Sequence, residues 1–90
     1  MKIIIPEDLK TYLKSHGKIL SVGMFYVPRG WWNVWKSPSG RMASPLKNPE
    51  KFEKFEVDDI TLYIEKQFLE KDEIEFLMPF VKNFKIIIER

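Results

Sequence analysis

The chain has 90 residues, a formal net charge of +2 and no cysteine. This length suits one domain over residues 1–90, and 44% hydrophobic with 31% charged residues is typical of a folded chain. Without cysteine, the chain cannot form a disulfide, a thiolate metal site, a cysteine-ligated iron–sulfur cluster or a cysteine nucleophile. No apolar run approaches the ~20 residues of a membrane span, and no signal-peptide pattern is present, so we expect a cytoplasmic protein with no membrane partner.

The first third of the chain predicts a strand, a helix and a second strand. Three isoleucines follow Lys2, and such β-branched residues favour a strand that Pro6 ends. Apolar residues then recur at helical spacing, and Gly17 is a residue type that commonly closes a helix, so we predict a helix over about residues 6–16. The run Lys18–Val27 alternates as a strand does, with apolar residues on both faces.

The rest of the chain predicts further strands. A middle segment with four prolines and two glycines reads as loop, although its part Trp31–Lys36 can form a strand. Two runs of β-forming residues then flank the acidic pair Asp58–Asp59, which is typical of a hairpin turn. Two more strands are predicted at about residues 73–77 and 84–89. One helix with six or seven strands indicates an α+β fold, with the N-terminal helix packed on a mostly antiparallel β-sheet or a small β-sandwich.

Four stretches of the chain resemble the HesB/IscA-like domain of A-type iron–sulfur carriers, in particular its CC/Se motif branch. They are "MKIIIPEDLKTYLKSHG", "ASPLKNPEKF", "FEVDDITLYIEKQFLEKDEIEF" and "FLMPFVKNFKIIIE". The resemblance implies a single HesB-like domain over residues 1–90. In that branch a cysteine pair, or a cysteine and a selenocysteine, follows a glycine in the central bend, and the matching positions here hold Trp31 and Trp32 after Gly30. The resemblance therefore carries over the fold but not cluster carriage, and we expect no metal and no cofactor.

The tryptophan segment is the main candidate for function. If it is a strand, Trp31, Asn33 and Trp35 share one face, while Trp32 and Val34 share the other. Tryptophan and arginine are enriched among the residues that contribute most to binding energy at interfaces. The candidate binding residues are Arg29, Trp31, Trp32, Asn33, Trp35, Lys36 and Arg41.

Three interpretations of this segment stay open. The indole rings can pack beneath the following loop as a satellite of the core. They can form an aromatic-basic surface over residues 29–41 for self-association or for a protein partner, which is the function we expect. The alternative is single-stranded nucleic-acid binding, with bases stacked on the tryptophans and phosphates held by the basic residues.

The sequence offers little for catalysis. His16 is the only histidine, and we expect it at the C-terminal end of the helix rather than as a general base. Asp58–Asp59 is explained by turn chemistry, and no phosphate loop, serine elbow or zinc spacing occurs. We therefore expect a binding domain and no enzyme.

Overall fold

The structure, a computed structural model, describes residues 2–29, 33–46, 48–78 and 82–89. Over these ranges it has one α-helix, seven strands and two short 3-10 helices. The helix is α1 (Glu7–Lys14), and the strands are β1 (Lys2–Ile4), β2 (Ile19–Arg29), β3 (Asn33–Arg41), β4 (Phe52–Val57), β5 (Ile60–Glu65), β6 (Glu73–Met78) and β7 (Lys82–Glu89). None of the helices in these ranges has the length and apolarity that crossing a membrane requires.

All seven strands belong to one mixed sheet in the order β1-β7-β6-β3-β2-β5-β4. The β2–β3 hairpin lies in the middle, where β2 runs parallel to β5 and β3 runs parallel to β6. The remaining neighbours are antiparallel. The two edge strands, β1 and β4, line a common cleft, so the sheet curls until its edges approach each other.

The predicted fold class is wrong. The structure is a mostly β domain with a single curled sheet and one short helix, and it is neither a helix packed on a mostly antiparallel sheet nor a sandwich. The error has a physical cause, because a strand can pair through either edge and in either direction. The alternation of residues along one strand predicts that strand but does not identify its neighbour.

One hydrophobic core fills the inside of the curled sheet. In β5 and β7 every second residue is buried, as in Phe84, Ile86 and Ile88 of β7. The helix contributes Leu9 and Leu13, both fully buried, to the same cluster. Burying such alternating apolar side chains is the main favourable contribution to folding.

The local turns follow the sequence. Gly17 has a φ of 93° just after the helix, and Lys18 donates its backbone N–H to Leu13 O at 2.9 Å, which closes the helix C-terminus. Asp58 and Asp59 have φ values of 49° and 69°, the left-handed pair that a two-residue hairpin turn needs. The predicted β4–β5 hairpin is therefore confirmed.

The strand β3 is longer than the predicted one. It continues to Arg41 through Pro38 and Gly40, which the sequence suggested were loop. Gly40 passes directly over the core: a Cβ atom there would lie 2.5 Å from Met78 Sδ and 2.8 Å from the Phe76 ring. This glycine therefore marks a close approach of the backbone to buried side chains, not a turn.

Candidate binding site

The β2–β3 hairpin reaches further than the strands beside it. β2 and β3 pair from Ser21–Arg41 to Arg29–Asn33, but β2 pairs with β5 only over Ile19–Val22. On the other side, the described pairing of β3 with β6 is limited to Ser39. Residues 24–29 and 33–38 therefore pair only with each other among the described strands. We call this two-stranded segment the ribbon.

Four of the predicted binding residues lie in the ribbon. Arg29 pairs with Asn33, and Trp35 pairs with Val27. Paired positions share a face, as do alternate positions along a strand, so positions 29, 33 and 35 fall on one face and position 36 on the other. Of the remaining candidates, Arg41 lies at the base of the hairpin on the face of position 35, while Trp31 and Trp32 lie outside the described residues.

Arg41 lies against an aromatic pair at the base of the ribbon. Its guanidinium carbon is 4.4 Å from the centre of the Phe25 ring, within the range of a cation–π contact. The Phe25 ring in turn stacks with Phe52 of β4, with ring centres 6.1 Å apart and planes 15° apart. These contacts place a cation and two aromatic rings side by side.

A pocket of about 370 Å³ opens beside Arg41. Its lining residues come from β2, β3, β4 and β5 and from the segment after β3. We call it the Arg41 pocket. It is lined by Ser21, Met24, Phe25, Arg41, Ala43, Ser44, Pro45, Leu46, Asn48, Lys51, Phe52 and Glu65.

Glu65 holds the base of the ribbon. Its Oε2 atom accepts a hydrogen bond from Met24 N at 2.9 Å, and its Oε1 atom accepts one from the side-chain amide of Gln67. The carboxylate therefore takes the place of a strand partner just after β2 has separated from β5. Gly23 permits this contact, because a Cβ atom at that position would lie 2.6 Å from Oε2 and 3.0 Å from the Phe52 ring.

A second hydrogen bond joins two residues that line the pocket. The hydroxyl of Ser21, which is buried, donates to the backbone oxygen of Ala43. This contact ties the segment after β3 back onto β2. A buried hydroxyl without a partner would be costly, so the bond favours this position of the loop.

Sequence reasoning found Arg41 but missed its partners. Phe25, Phe52 and Glu65 come from three different strands, and no short motif connects them. One local signal was available for Phe25, since it lies on the strand face opposite to Met24 and shares that face with Arg29. Phe52 and Glu65 had no such signal, because they reach the pocket through the pairing of β4 with β5 and of β5 with β2.

Other chemistry is sparse in the part of the chain that the structure describes. Those residues include no group of three or more His, Asp or Glu side chains placed to hold a metal ion. His16 lies at the end of α1, as expected, where its ring stacks on Tyr12 at 4.2 Å and its Nδ1 is 2.7 Å from Tyr12 O. It does not line the Arg41 pocket.

Comparison with known protein families gives a match to the CC/Se motif containing family over residues 1–87. Comparisons with curated proteins and with solved structures give no significant match. The family is described by its CC/Se motif, and this chain contains no cysteine. Because the match spans nearly the whole sequence, the chain belongs to the CC/Se motif containing family.

Proposed function

We propose that the chain is a non-catalytic binding domain, which uses the aromatic-basic surface over residues 29–41 for self-association or for a protein partner. The observation that carries this proposal is the ribbon. An isolated two-stranded segment is only marginally stable. A hairpin that extends beyond its neighbouring strands therefore suggests a function for the extension. Here it carries Arg29 and Trp35 at positions on one face.

Two prolines make the edges of the ribbon poor sites for another strand. Met24 pairs with Pro38, and its N–H points away from β3, since it donates to Glu65. Pairs whose N–H groups point away from the partner strand recur every second residue in an antiparallel ladder. Pro28 therefore occupies a position equivalent to that of Met24, where an N–H would point outward. Each edge thus lacks an N–H where an added strand would need one. We infer that a partner binds a face of the ribbon.

The family resemblance supports the same location. The positions that match the thiol-bearing bend of the branch hold Trp31 and Trp32 here. Thiol chemistry is excluded by composition, and two large aromatic residues supply contact area instead. We therefore propose that the bend functions as a binding surface and not as a thiol site.

The double variant Trp31→Ala/Trp35→Ala tests the proposal. We expect the wild type to self-associate or to bind a protein partner and the double variant to lose that assembly, with its fold intact by circular dichroism. Light scattering over a range of concentrations measures the mass. Ile87→Ala is the matched control, because Ile87 is an exposed apolar strand residue outside the ribbon and should leave assembly unchanged.

Of three informative results, two would contradict the proposal and one, a strict monomer, would narrow it. Unfolding of the double variant would mean that the indole rings belong to the core. A strict monomer at high concentration would remove self-association and leave only a protein partner. Tryptophan fluorescence that is quenched by a single-stranded oligonucleotide, with affinity falling steeply as salt rises, would favour nucleic-acid binding instead.

Two finer points belong to the proposal. We propose a relationship to the HesB/IscA-like domain of A-type carriers, supported by the sequence resemblance and by the strand–helix–strand start of the chain. Comparing the strand order of a carrier with β1-β7-β6-β3-β2-β5-β4 tests it. We also propose a cytoplasmic location, which fractionation of cells that express the protein would test.

A further inference from the structure

Two cations line the Arg41 pocket, Arg41 itself and Lys51. Among the described residues, no carboxylate oxygen lies within 4.0 Å of the side-chain nitrogens of Arg41 or Lys51. Lys10 and Lys82, by contrast, each lie 2.6 Å from an aspartate. Both pocket residues are exposed, so their charges remain available to an anion from solution.

The guanidinium group of Arg41 suits recognition of a carboxylate. Its carbon lies 4.4 Å from the centre of the Phe25 ring. Its N–H groups lie in the plane of the group and stay free to donate, and two of them match the two oxygens of a carboxylate. The aromatic ring also holds the guanidinium in place, which reduces the entropy lost on binding.

The pocket offers an apolar surface beside these cations. Phe52 and Pro45 line it, together with Leu46, a residue that is 91% exposed and has little to pack against in the isolated chain. A volume of about 370 Å³ is in the range of small-molecule sites, ~300–1,000 Å³. It suits a compact ligand with one or two rings.

The negative charge of Glu65 does not prevent the pocket from binding an anion. Both of its oxygens accept hydrogen bonds, one from Met24 and one from Gln67. These neutral donors solvate the carboxylate without changing its charge. Because two cations, Arg41 and Lys51, and one carboxylate line the pocket, it keeps an excess of positive charge.

We propose that the Arg41 pocket binds a small aromatic carboxylate, a ligand with a flat apolar body and one anionic group. The carboxylate contacts Arg41, with Lys51 adding attraction at the rim. The apolar body packs against Phe52, Pro45 and Leu46. This site goes beyond the proposed function of the ribbon, because it adds a small-molecule ligand at the ribbon's base.

Titration of the full chain with 2-naphthoate tests the inference. Calorimetry measures the affinity, and backbone amide NMR shifts locate the site. We expect saturable binding, with the largest shifts at pocket residues such as Ser21, Ala43 and Phe52. The neutral analogue 2-naphthamide should bind at least about tenfold more weakly, since a hydrogen bond to a charged group is worth about 1.5–3 kcal/mol. Arg41→Gln should weaken 2-naphthoate by a similar factor and leave 2-naphthamide nearly unchanged.

Lys2→Gln is the control for net charge, because it removes the same charge at a residue of β1 that does not line the Arg41 pocket. It should leave the affinity for 2-naphthoate within about twofold of wild type. Equal binding of the acid and the amide, equal losses in the two variants, or no binding at millimolar ligand would each overturn the inference. Arg41 belongs to both proposals, but calorimetry and NMR measure the binding of 2-naphthoate whereas light scattering measures assembly. Each proposal can therefore fail without the other.

Discussion

The carboxylate of Glu65 lies 2.9 Å from the backbone nitrogen of Met24, at the point where β2 leaves the sheet. Two residues before Met24, Val22 is still paired with Ile64, the residue before Glu65, in the parallel ladder of β2 and β5. The side chain of the last β5 residue thus supplies the acceptor that a longer β5 would have supplied through its backbone. This contact sets where the sheet ends and where the ribbon begins.

Glu65→Ala removes that acceptor and leaves the Met24 N–H without its partner in the fold. We expect a loss of about 1–3 kcal/mol in the free energy of unfolding, the cost of one unsatisfied donor. Urea denaturation measures the stability, and hydrogen exchange at Met24 should become faster. Glu53→Ala removes an exposed carboxylate from β4 and should change neither quantity appreciably. An unchanged exchange rate at Met24 in Glu65→Ala would contradict this role.

Gly40→Ala tests the close approach of β3 to the core. The added methyl group would lie 2.5 Å from Met78 Sδ, so something must move, and overpacking of this kind costs about 1–3 kcal/mol. Combining it with Met78→Ala, which creates space, should cost less than the sum of the two single changes. Denaturation of the four proteins in a double-mutant cycle measures this coupling. Strict additivity would show that the two residues do not meet.

The ion pair between Lys10 and Asp58 predicts a pH dependence. A hydrogen bond from Lys10, 2.6 Å away, holds the pKa of Asp58 below its ordinary value of 3.8, and the same contact raises the pKa of Lys10 above 10.5. The folded state therefore binds the Asp58 proton less tightly than the unfolded state does. Its stabilising contribution is present above about pH 4 and is lost as the pH falls through the lowered pKa.

Asp58→Asn should flatten this acid-side loss of stability, measured as thermal midpoints from pH 2 to pH 7. Asparagine tolerates the positive φ of 49° at this position, so the turn itself should survive. Asp59→Asn is the control, since it changes the same charge in the same turn outside the described ion pairs. The flattening should be partial, because Lys82 also lowers the pKa of Asp8 through a hydrogen bond. Equal pH profiles for the two variants would contradict a specific role for Asp58.

Two adjacent isoleucines in β7 test directly whether buried and exposed residues alternate along this strand. Ile86 is fully buried in the core, whereas Ile87 is 41% exposed. Ile86→Ala should cost about 2–5 kcal/mol because it leaves a cavity. Ile87→Ala should cost less than about 1 kcal/mol. Chemical denaturation of both variants provides the comparison, and similar losses would mean that the register of β7 differs from the one described.

Most individual elements could be predicted from the sequence. The helix predicted over about residues 6–16 occupies Glu7–Lys14, and the predicted last two strands correspond to β6 and β7. The β4–β5 hairpin followed from its acidic turn. The end of β3 could not be predicted, because Pro38 and Gly40 are residues that usually interrupt strands. Pro38 is tolerated because it occupies a position of the ladder whose N–H would point outward. Gly40 is tolerated because the buried side chains beneath it leave no space for a Cβ atom.

What the sequence by itself determined is local or compositional: the helix, the strands, the acidic turn and the exclusion of thiol chemistry. These depend on residues a few positions apart or on residue types alone. Only the tertiary structure decided the order of the strands, the two parallel pairings and the Arg41 pocket. The physical reason is distance along the chain, since Glu65 and Met24 are 41 positions apart. Contacts over such separations are chosen by the packing of the whole sheet, and no pattern within one segment encodes them.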